Sequence, residues 1–445
     1  MIIRSISGVR GLIKTHLTLE YSIYYARALN KLLPQGVIMA GRDSRPSGET
    51  ILNSMILELN RIGRTVIDCG IVPTPTVQYM VQNTEAIGGF IVTASHNPIE
   101  WNGLKFVRED STFFHPDECE ELFKLVDEKI EIDSSDELGI HWPEKNAIQK
   151  HIISCATLKC INLNRIQKRK YKVVIDAVNG AGSSALPDLL ESLGCEVIKL
   201  YCEPNGDFKR GTEPLPQNLV DLSRSVIQNK ADAGFAVDPD ADRLALINEK
   251  GEPLGEEYTL VIAADGYLTE KSKPEKFVVN LSTSIAIDKL AELKGSAVER
   301  SAVGEINVVN KMNEIGSDFG GEGNGGVILR DCHLGRDSLV GATMILNRMS
   351  QTDLTLGQIH KALPQFEIVK DKIDLEGINP DEIIDKVSKM FKDAEKNTLD
   401  GLKLIWNDRW VHFRKSNTEP IMRIYAEAPN KKEAENLVKK VKKII

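Results

Sequence analysis

The sequence predicts an α/β protein: three related units in which strands alternate with helices, then a smaller α+β unit at the C-terminal end. Three observations carry this. An apolar β-branched run, a polar turn and a helical pattern recur as VIMAGRDSRPSG (37–48), KVVIDAVNGAGS (172–183) and KFVVNLSTSIAI (276–287), the grammar of β-α units and parallel sheets. The tail beyond residue 365 abandons that grammar. The 445 residues also exceed one ordinary core, and at roughly 100–200 residues per domain they imply three or four.

Polar stretches near 133–150, 250–257 and 363–368 divide the chain into units 1–145, 146–253, 254–365 and 366–445. The first repeat is followed by the helix candidate ETILNSMILELNRIG and the second by SALPDLLESLG. In the tail, FEIVKDKIDLE alternates as a strand does, and a helix is expected near 380–396. LKLIWNDRWVHFR reads as a hairpin turning at Asn407-Asp408. The final KKEAENLVKKVKKII is an amphipathic helix whose Leu, Val and Ile recur at core spacing, so its lysines form a solvated face.

A hydrophobic fraction of 42% supports several cores, and the 18 Pro and 33 Gly are spread without a low-complexity tract. The start, MIIRSISGVRGLIKTH, has no signal-like apolar stretch, and no segment approaches ~20 uninterrupted apolar residues, so a soluble cytoplasmic protein without a membrane partner is expected. Net charge −8 argues against nonspecific nucleic-acid binding. An anionic ligand would have to be met by local Arg and Lys. No heptad or apolar strip indicates an oligomeric state. Seven cysteines, odd in number, scattered and without a CxxC pair, argue against a disulfide framework or a zinc site. His333 and His412 stand alone, in no ligand spacing, and Gly41–Arg45 and Asn179–Gly182 read as structural turns.

Four short loops carry chemistry. Asp238-Pro-Asp240-Ala-Asp242-Arg243 follows the strand-like ADAGFAV and offers three carboxylates at alternate positions. A capped acidic turn is the ordinary reading. Three Asp this close repel one another unless a cation compensates, so a hard divalent cation is the better one. Arg243 stands where an EF-hand loop requires Gly, which favours Mg2+, completed by phosphate oxygens, over Ca2+. Arg414-Lys415-Ser416-Asn417-Thr418-Glu419-Pro420 combines an Arg fork, two hydroxyls, an amide and turn N–H groups, as phosphate binding asks.

Gly320-Gly-Glu322-Gly-Asn324-Gly-Gly326 contains G-x-G-x-x-G, but it lies before the strand-like VILR and opens no helix, so it is no dinucleotide fingerprint. Its glycines let the backbone approach a ligand while Glu322 and Asn324 address hydroxyls. Thr93-Ala-Ser95-His96-Asn97-Pro98 offers Ser95 as nucleophile and His96 as a proton-handling or phosphate-contacting group. No G-x-S-x-G elbow surrounds Ser95, which counts against a serine hydrolase. A nucleophile, a cation site, a hydroxyl reader and a phosphate clamp, one per unit, together describe phosphoryl transfer on a sugar phosphate.

These loops resemble, in order, the four signature loops of the α-D-phosphohexomutase family, the phosphoglucosamine mutases, phosphomannomutases and phosphoglucomutases; SGVRG near the start and NGLK after Ser95 also match. The resemblance implies four domains around a cleft, three with mixed sheets and a last one like the TATA-binding-protein fold. It further implies that Ser95 is carried as phosphoserine, with its phosphate and Asp238, Asp240 and Asp242 holding Mg2+. Two phosphoryl transfers would pass through a hexose 1,6-bisphosphate, both intermediate and activator. Positioning and charge compensation dominate such transfers. Arg10, His96, Lys105 and Arg243 are the candidates for that compensation, and by the resemblance Lys105 and His96 are those for handling the sugar hydroxyl's proton. Glu322 and Asn324 would read O3 and O4, and Arg414, Ser416, Asn417 and Thr418 would hold the nonreacting phosphate. The last domain would close over the substrate.

The sugar loop departs from the family's frequent Glu-Met-Ser-Gly-His or Glu-Gln-Ser-Gly-His: Asn324 replaces Ser and Gly326 replaces His. Some glucosamine and mannose phosphate mutases resemble this Gly-Asn-Gly form, so glucosamine phosphate is the expected sugar, with mannose or glucose phosphate as the alternative. A sugar-phosphate phosphatase or a non-catalytic binder is the alternative of another class. The intact Arg414 loop speaks against the first, and Ser95 with three Asp against the second.

Overall fold

The computed structural model describes residues 2–375, 379–415 and 421–443. The first three units share one strand plan. In the first, Val37–Arg42 is flanked by parallel Val66–Ile71 and Ala86–Val92, and Trp101–Arg108 returns antiparallel to the latter. Lys172–Asp176, Glu196–Leu200, Ala233–Val237 and Leu244–Asn248 repeat that order in the second. Lys276–Asn280, Ala297–Ser301, Phe319–Glu322 and Gly326–Leu329 repeat it in the third. The sheets are therefore mixed, because the fourth strand of each plan closes a hairpin instead of following a crossover helix. Three further strands, Ile2–Ser5, Gly8–Leu12 and His141–Pro143, widen the first sheet to seven.

The central strands read as unbroken apolar runs because helices cover both faces of the sheet. Helix Gly48–Arg61 turns Ile51, Leu52, Met55, Ile56 and Leu59 inward, the spacing of a single apolar stripe. Helix Glu256–Glu270 is buried continuously from Tyr258 to Leu268 and lies in a core shared by the second and third units. Among the described residues no helix is long and apolar enough to cross a membrane.

The fourth unit is an antiparallel five-stranded sheet with its own core. The expected hairpin forms between Leu402–Ile405 and Trp410–Lys415. Helix Lys431–Lys442 buries Ala434, Val438 and Val441 and leaves its lysines exposed. The helix expected over 380–396 ends at Met390; Phe391 turns into the core, and Glu395–Asn397 pairs as an edge strand with Leu402–Ile405.

Fully buried Glu427 fastens this unit to the third, accepting from Ser284 Oγ, Ile285 N (2.9 Å) and Trp410 Nε1. Glu427→Ala strands those donors and is expected to lower stability by about 3 kcal/mol, read as a shifted urea midpoint.

Candidate active site

Three of the predicted loops occupy one topological position. Residues 93–100, 238–243 and 323–325 each join the third strand of a unit to its antiparallel return. They thus sit at the carboxyl end of a parallel strand, where α/β sheets bind ligands.

Ser95 has left-handed backbone (φ 50°), a strained conformation for a residue with a Cβ. Its N–H donates to Thr93 Oγ1 (2.9 Å), and Thr93 donates in turn to Asp43 Oδ2 (2.6 Å). Arg45, fully buried and paired with Asp43 at 3.0 Å, donates to the carbonyls of Ser95, Asn97, Pro98 and Trp101. The turn at Gly41–Arg45 is thus the buttress of the serine loop. Ser95 Oγ lies 3.3 Å from Asp238 Oδ2 and 3.3 Å from His96 Nδ1.

Asp238, Asp240 and Asp242 are completely buried, with one carboxylate oxygen of each within 4.8 Å of the others. Asp242 N and Arg243 N donate to Asp238 Oδ1, both at 3.2 Å. Asp240 Oδ2 accepts from Lys105 Nζ (2.7 Å) and Thr74 Oγ1 (2.8 Å), and Asp242 Oδ2 from Arg336 Nη2 (2.6 Å). Among the described residues, Asp240 Oδ1 and Asp242 Oδ1 are buried without a hydrogen-bond partner. Burial, then Asp242 and Asp240, push the Asp238 carboxyl well above its ordinary range. Orphaned carboxylate oxygens and mutual repulsion are what a hard divalent cation relieves, so these residues fit one.

Burial opposes the Lys105 ammonium, but Asp240 and Asp242 raise its pKa, so it is a fixed cation. His96 goes the other way: burial, then Arg243 and Arg10, lower it well below 6.5 and keep it neutral. Arg10 Nη1 donates to Asn97 Oδ1 (2.9 Å), and Arg243 lies 3.7 Å from Asp242 and 3.8 Å from Glu213.

Glu322 accepts from Asn280 Nδ2 (2.7 Å), Gly304 N (3.0 Å) and Arg336 Nη1 (2.7 Å); Asn324 lies 3.4 Å from it. Two glycines of this loop are dictated by close approach. A Cβ at Gly325, where φ is 87°, would meet Leu244 O at 2.3 Å, and one at Gly326 would meet Arg336 Cδ at 2.3 Å. Arg336 therefore takes the space beside Gly326. It also donates to Glu305 Oε2 (3.0 Å), bridging the cation and sugar loops. Arg336 and Glu305 were missed because an Arg before a helix carries no motif. A signal existed: GRDS occurs twice, at 41–44 and 335–338, and both copies support a functional loop.

The structure gathers Ser95, His96, Arg10, Lys105, Asp238, Asp240, Asp242 and Arg243 into one connected cluster, joined through Arg336 to Glu322 and Asn324. Arg414 is not part of it. Among the described residues it pairs with Asp400 (2.8 Å), whose Oδ2 also accepts from Val303 N (3.0 Å) of the third unit. Ser416, Asn417 and Thr418 lie outside the described residues.

His412 supports the same junction, its rings contacting Ser282 Oγ (3.0 Å) and Asp400 O (2.6 Å). Burial pushes this imidazole down to about 4, against about 6.5 in an unfolded chain. The unfolded chain then binds the extra proton between those values, so this stabilisation is complete above pH 6.5 and lost as pH falls through 4. Calorimetry at pH 7.5 and pH 4.5 is expected to show a loss on the order of 3 kcal/mol that is much smaller in His412→Gln.

Four family models match the chain in order: phosphoglucomutase/phosphomannomutase alpha/beta/alpha domains I (residues 2–133), II (149–251) and III (255–366), and the C-terminal domain (369–444). A probable phosphoglucosamine mutase of Methanopyrus kandleri is 32% identical over 97% of this chain and 95% of its own length. A phosphoglucomutase/phosphomannomutase of Thermococcus kodakarensis is 34% identical, over 96% and 94%. The crystal structure of a phosphoglucomutase/phosphomannomutase family protein from Burkholderia thailandensis superposes with a TM-score of 0.86 at 25% identity, covering 99% of this chain and 97% of that one. With matches running from the first sheet to the last helix, the chain belongs to the phosphoglucomutase/phosphomannomutase family of phosphohexose mutases.

Proposed function

We propose that Ser95 carries the phosphoryl group between O6 and O1 of a hexose, that a hexose 1,6-bisphosphate is the intermediate, and that glucosamine phosphate is the preferred sugar. The observation that carries this reading is the Ser95 Oγ, clamped in a strained loop 3.3 Å from an acidic cluster with orphaned oxygens. The sugar preference rests on the names of relatives such as that of Methanopyrus kandleri. Mannose and glucose phosphates are the alternative, supported by the Thermococcus kodakarensis relative.

In each transfer one P–O bond breaks as another forms, between Ser95 Oγ and a sugar oxygen, and the sugar turns over between the two. In the first transfer the sugar hydroxyl's proton passes to Ser95 Oγ, in the second the Ser95 hydroxyl's proton passes to the released sugar oxygen, and neutral His96 relays it. Lys105, Arg10 and Arg243 offset charge on the phosphoryl oxygens. Mg2+, held by Asp238, Asp240, Asp242 and the Ser95 oxygen, would supply further charge neutralisation there. Arg336 fixes Glu322, which with Asn324 reads sugar hydroxyls in both orientations. Arg414, Ser416, Asn417 and Thr418 grip the nonreacting phosphate as the fourth unit closes and excludes water.

Phosphorus NMR with Mg2+, a trace of hexose 1,6-bisphosphate, and glucosamine, mannose or glucose 6-phosphate tests this. The 1-phosphate signal should grow fastest from glucosamine 6-phosphate. Faster growth from mannose or glucose 6-phosphate overturns the sugar assignment, and inorganic phosphate in place of any 1-phosphate overturns the mutase mechanism.

A further inference from the structure

A second set of ligating side chains lies beneath the cation loop and takes no part in the site above. His151 and Cys155, one turn apart on helix Ala147–Ala156, meet Cys332 and Asp337 from the segment leading into helix Ser338–Ser350. One ligand atom of each lies within 4.8 Å of all the others, and none of the four residues is more than 3% exposed. The sequence hides this grouping, because its cysteines are scattered and only folding brings Cys155 to Cys332.

The surroundings orient these groups inward. Thr76 Oγ1 holds His151 Nδ1 at 3.0 Å and Tyr79 stacks on the ring at 5.0 Å, which turns Nε2 toward the cluster. Asp337 Oδ1 caps the following helix through Leu339 N (2.8 Å) and Val340 N (3.3 Å), leaving Oδ2 inside. Ser154 Oγ lies 3.6 Å from Cys332 Sγ. Buried His333 adds Nε2 at 3.0 Å from Asp337 Oδ2, while its Nδ1 has no partner. Metal-bound histidines donate their far ring N–H to an acceptor that fixes the ring, and the Thr76 hydroxyl stands in that place here.

A plain hydrogen-bond network explains the contact of His151 Nε2 with Asp337 Oδ2 at 2.8 Å. It does not explain two thiols from distant segments converging on the same point.

We propose that His151, Cys155, Cys332 and Asp337 form a closed structural site for a divalent transition-metal ion such as Zn2+. Two sulfurs, one imidazole and one carboxylate make a four-ligand set that suits Zn2+ and is foreign to Mg2+. With Zn–S about 2.3 Å and Zn–N about 2.0 Å, tetrahedral ligand atoms stand roughly 3.3–3.8 Å apart, so binding opens the 2.8 Å His151–Asp337 contact by about half an ångström and brings the other pairs, now within 4.8 Å, to that spacing. The ion would tie the second and third units together under the active site, with Thr76 of the first unit supporting His151. Thr74, on the helix that carries Thr76, donates to Asp240, and Ser338, next to Asp337, donates to Ala241 O (2.7 Å).

The test is cobalt spectroscopy on the full-length protein, stripped with chelator under reducing conditions and kept in excess Mg2+ so that the carboxylate loop is occupied. Titration with Co2+ should give a thiolate-to-cobalt charge-transfer band in the near ultraviolet that saturates at one ion per chain. Zn2+ should abolish the band, and Cys332→Ser and Cys155→Ser should each weaken it. Absence of the band in wild-type protein whose seven cysteines titrate as free thiols after denaturation overturns the proposal. So does a band that survives unchanged in a folded Cys332→Ser variant. If the serine variants fail to fold, the wild-type titration alone decides.

Discussion

Ser95→Ala is expected to abolish turnover, lowering kcat by at least ~10^4-fold, because no other group inherits the role of covalent carrier. In the proposed mechanism, removing Oγ takes away the atom that accepts and returns the phosphoryl group. The loop itself should persist, since Ser95 N, Ser95 O and the Arg45 clamp are backbone or remote interactions that alanine keeps. The variant should therefore match the wild type in circular dichroism and in sugar-phosphate binding. It should also fail to gain the mass of one phosphoryl group when incubated with hexose 1,6-bisphosphate. Activity within tenfold of wild type would remove Ser95 from the mechanism.

Arg336→Met should be the most damaging change away from the nucleophile. One guanidinium satisfies Asp242, Glu322 and Glu305 at 2.6, 2.7 and 3.0 Å, all four residues being at most 9% exposed. Methionine fills much of the volume but leaves three buried carboxylates without their cation, a loss of about 3–5 kcal/mol by analogy with broken buried ion pairs. Burial then raises the pKa of Glu322, which Arg336 otherwise helps hold below its ordinary value against desolvation. We expect a lower urea midpoint and, in protein still folded, a raised KM for the sugar phosphate with a roughly 100-fold lower kcat/KM. Arg336→Lys should restore part of the stability but little of the KM, because one ammonium cannot span three carboxylates in a fixed geometry. Unchanged stability and KM in Arg336→Met would deny it the bridging role.

Much of the site was legible residue by residue, for a chemical reason. Three Asp at alternate positions after a buried strand, or a serine, histidine and amide in one short loop, are costly arrangements that a merely structural turn does not need. Their types and spacing therefore announced Ser95, Asp238, Asp240 and Asp242. The strand–turn–helix recurrence announced the repeated units, since central parallel strands must be apolar on both faces.

The partners of the cations were not legible. Lys105 is far from Asp240 in sequence, and its pairing at 2.7 Å depends on two hairpins from different units facing each other. Arg336 and Arg45 act through backbone carbonyls and buried carboxylates; the repeated GRDS marks their turns but not those partners.

By itself, then, the sequence determined the family and pointed to the proposed nucleophile and the carboxylate set, because those depend on local residue type and short spacing. Only the tertiary structure decided which groups stay charged, which loops share one topological position, and that Arg336 packs beside Gly326 and bridges the cation and sugar loops. Those outcomes follow from burial and from contacts between distant segments, which exist only once the sheets have assembled.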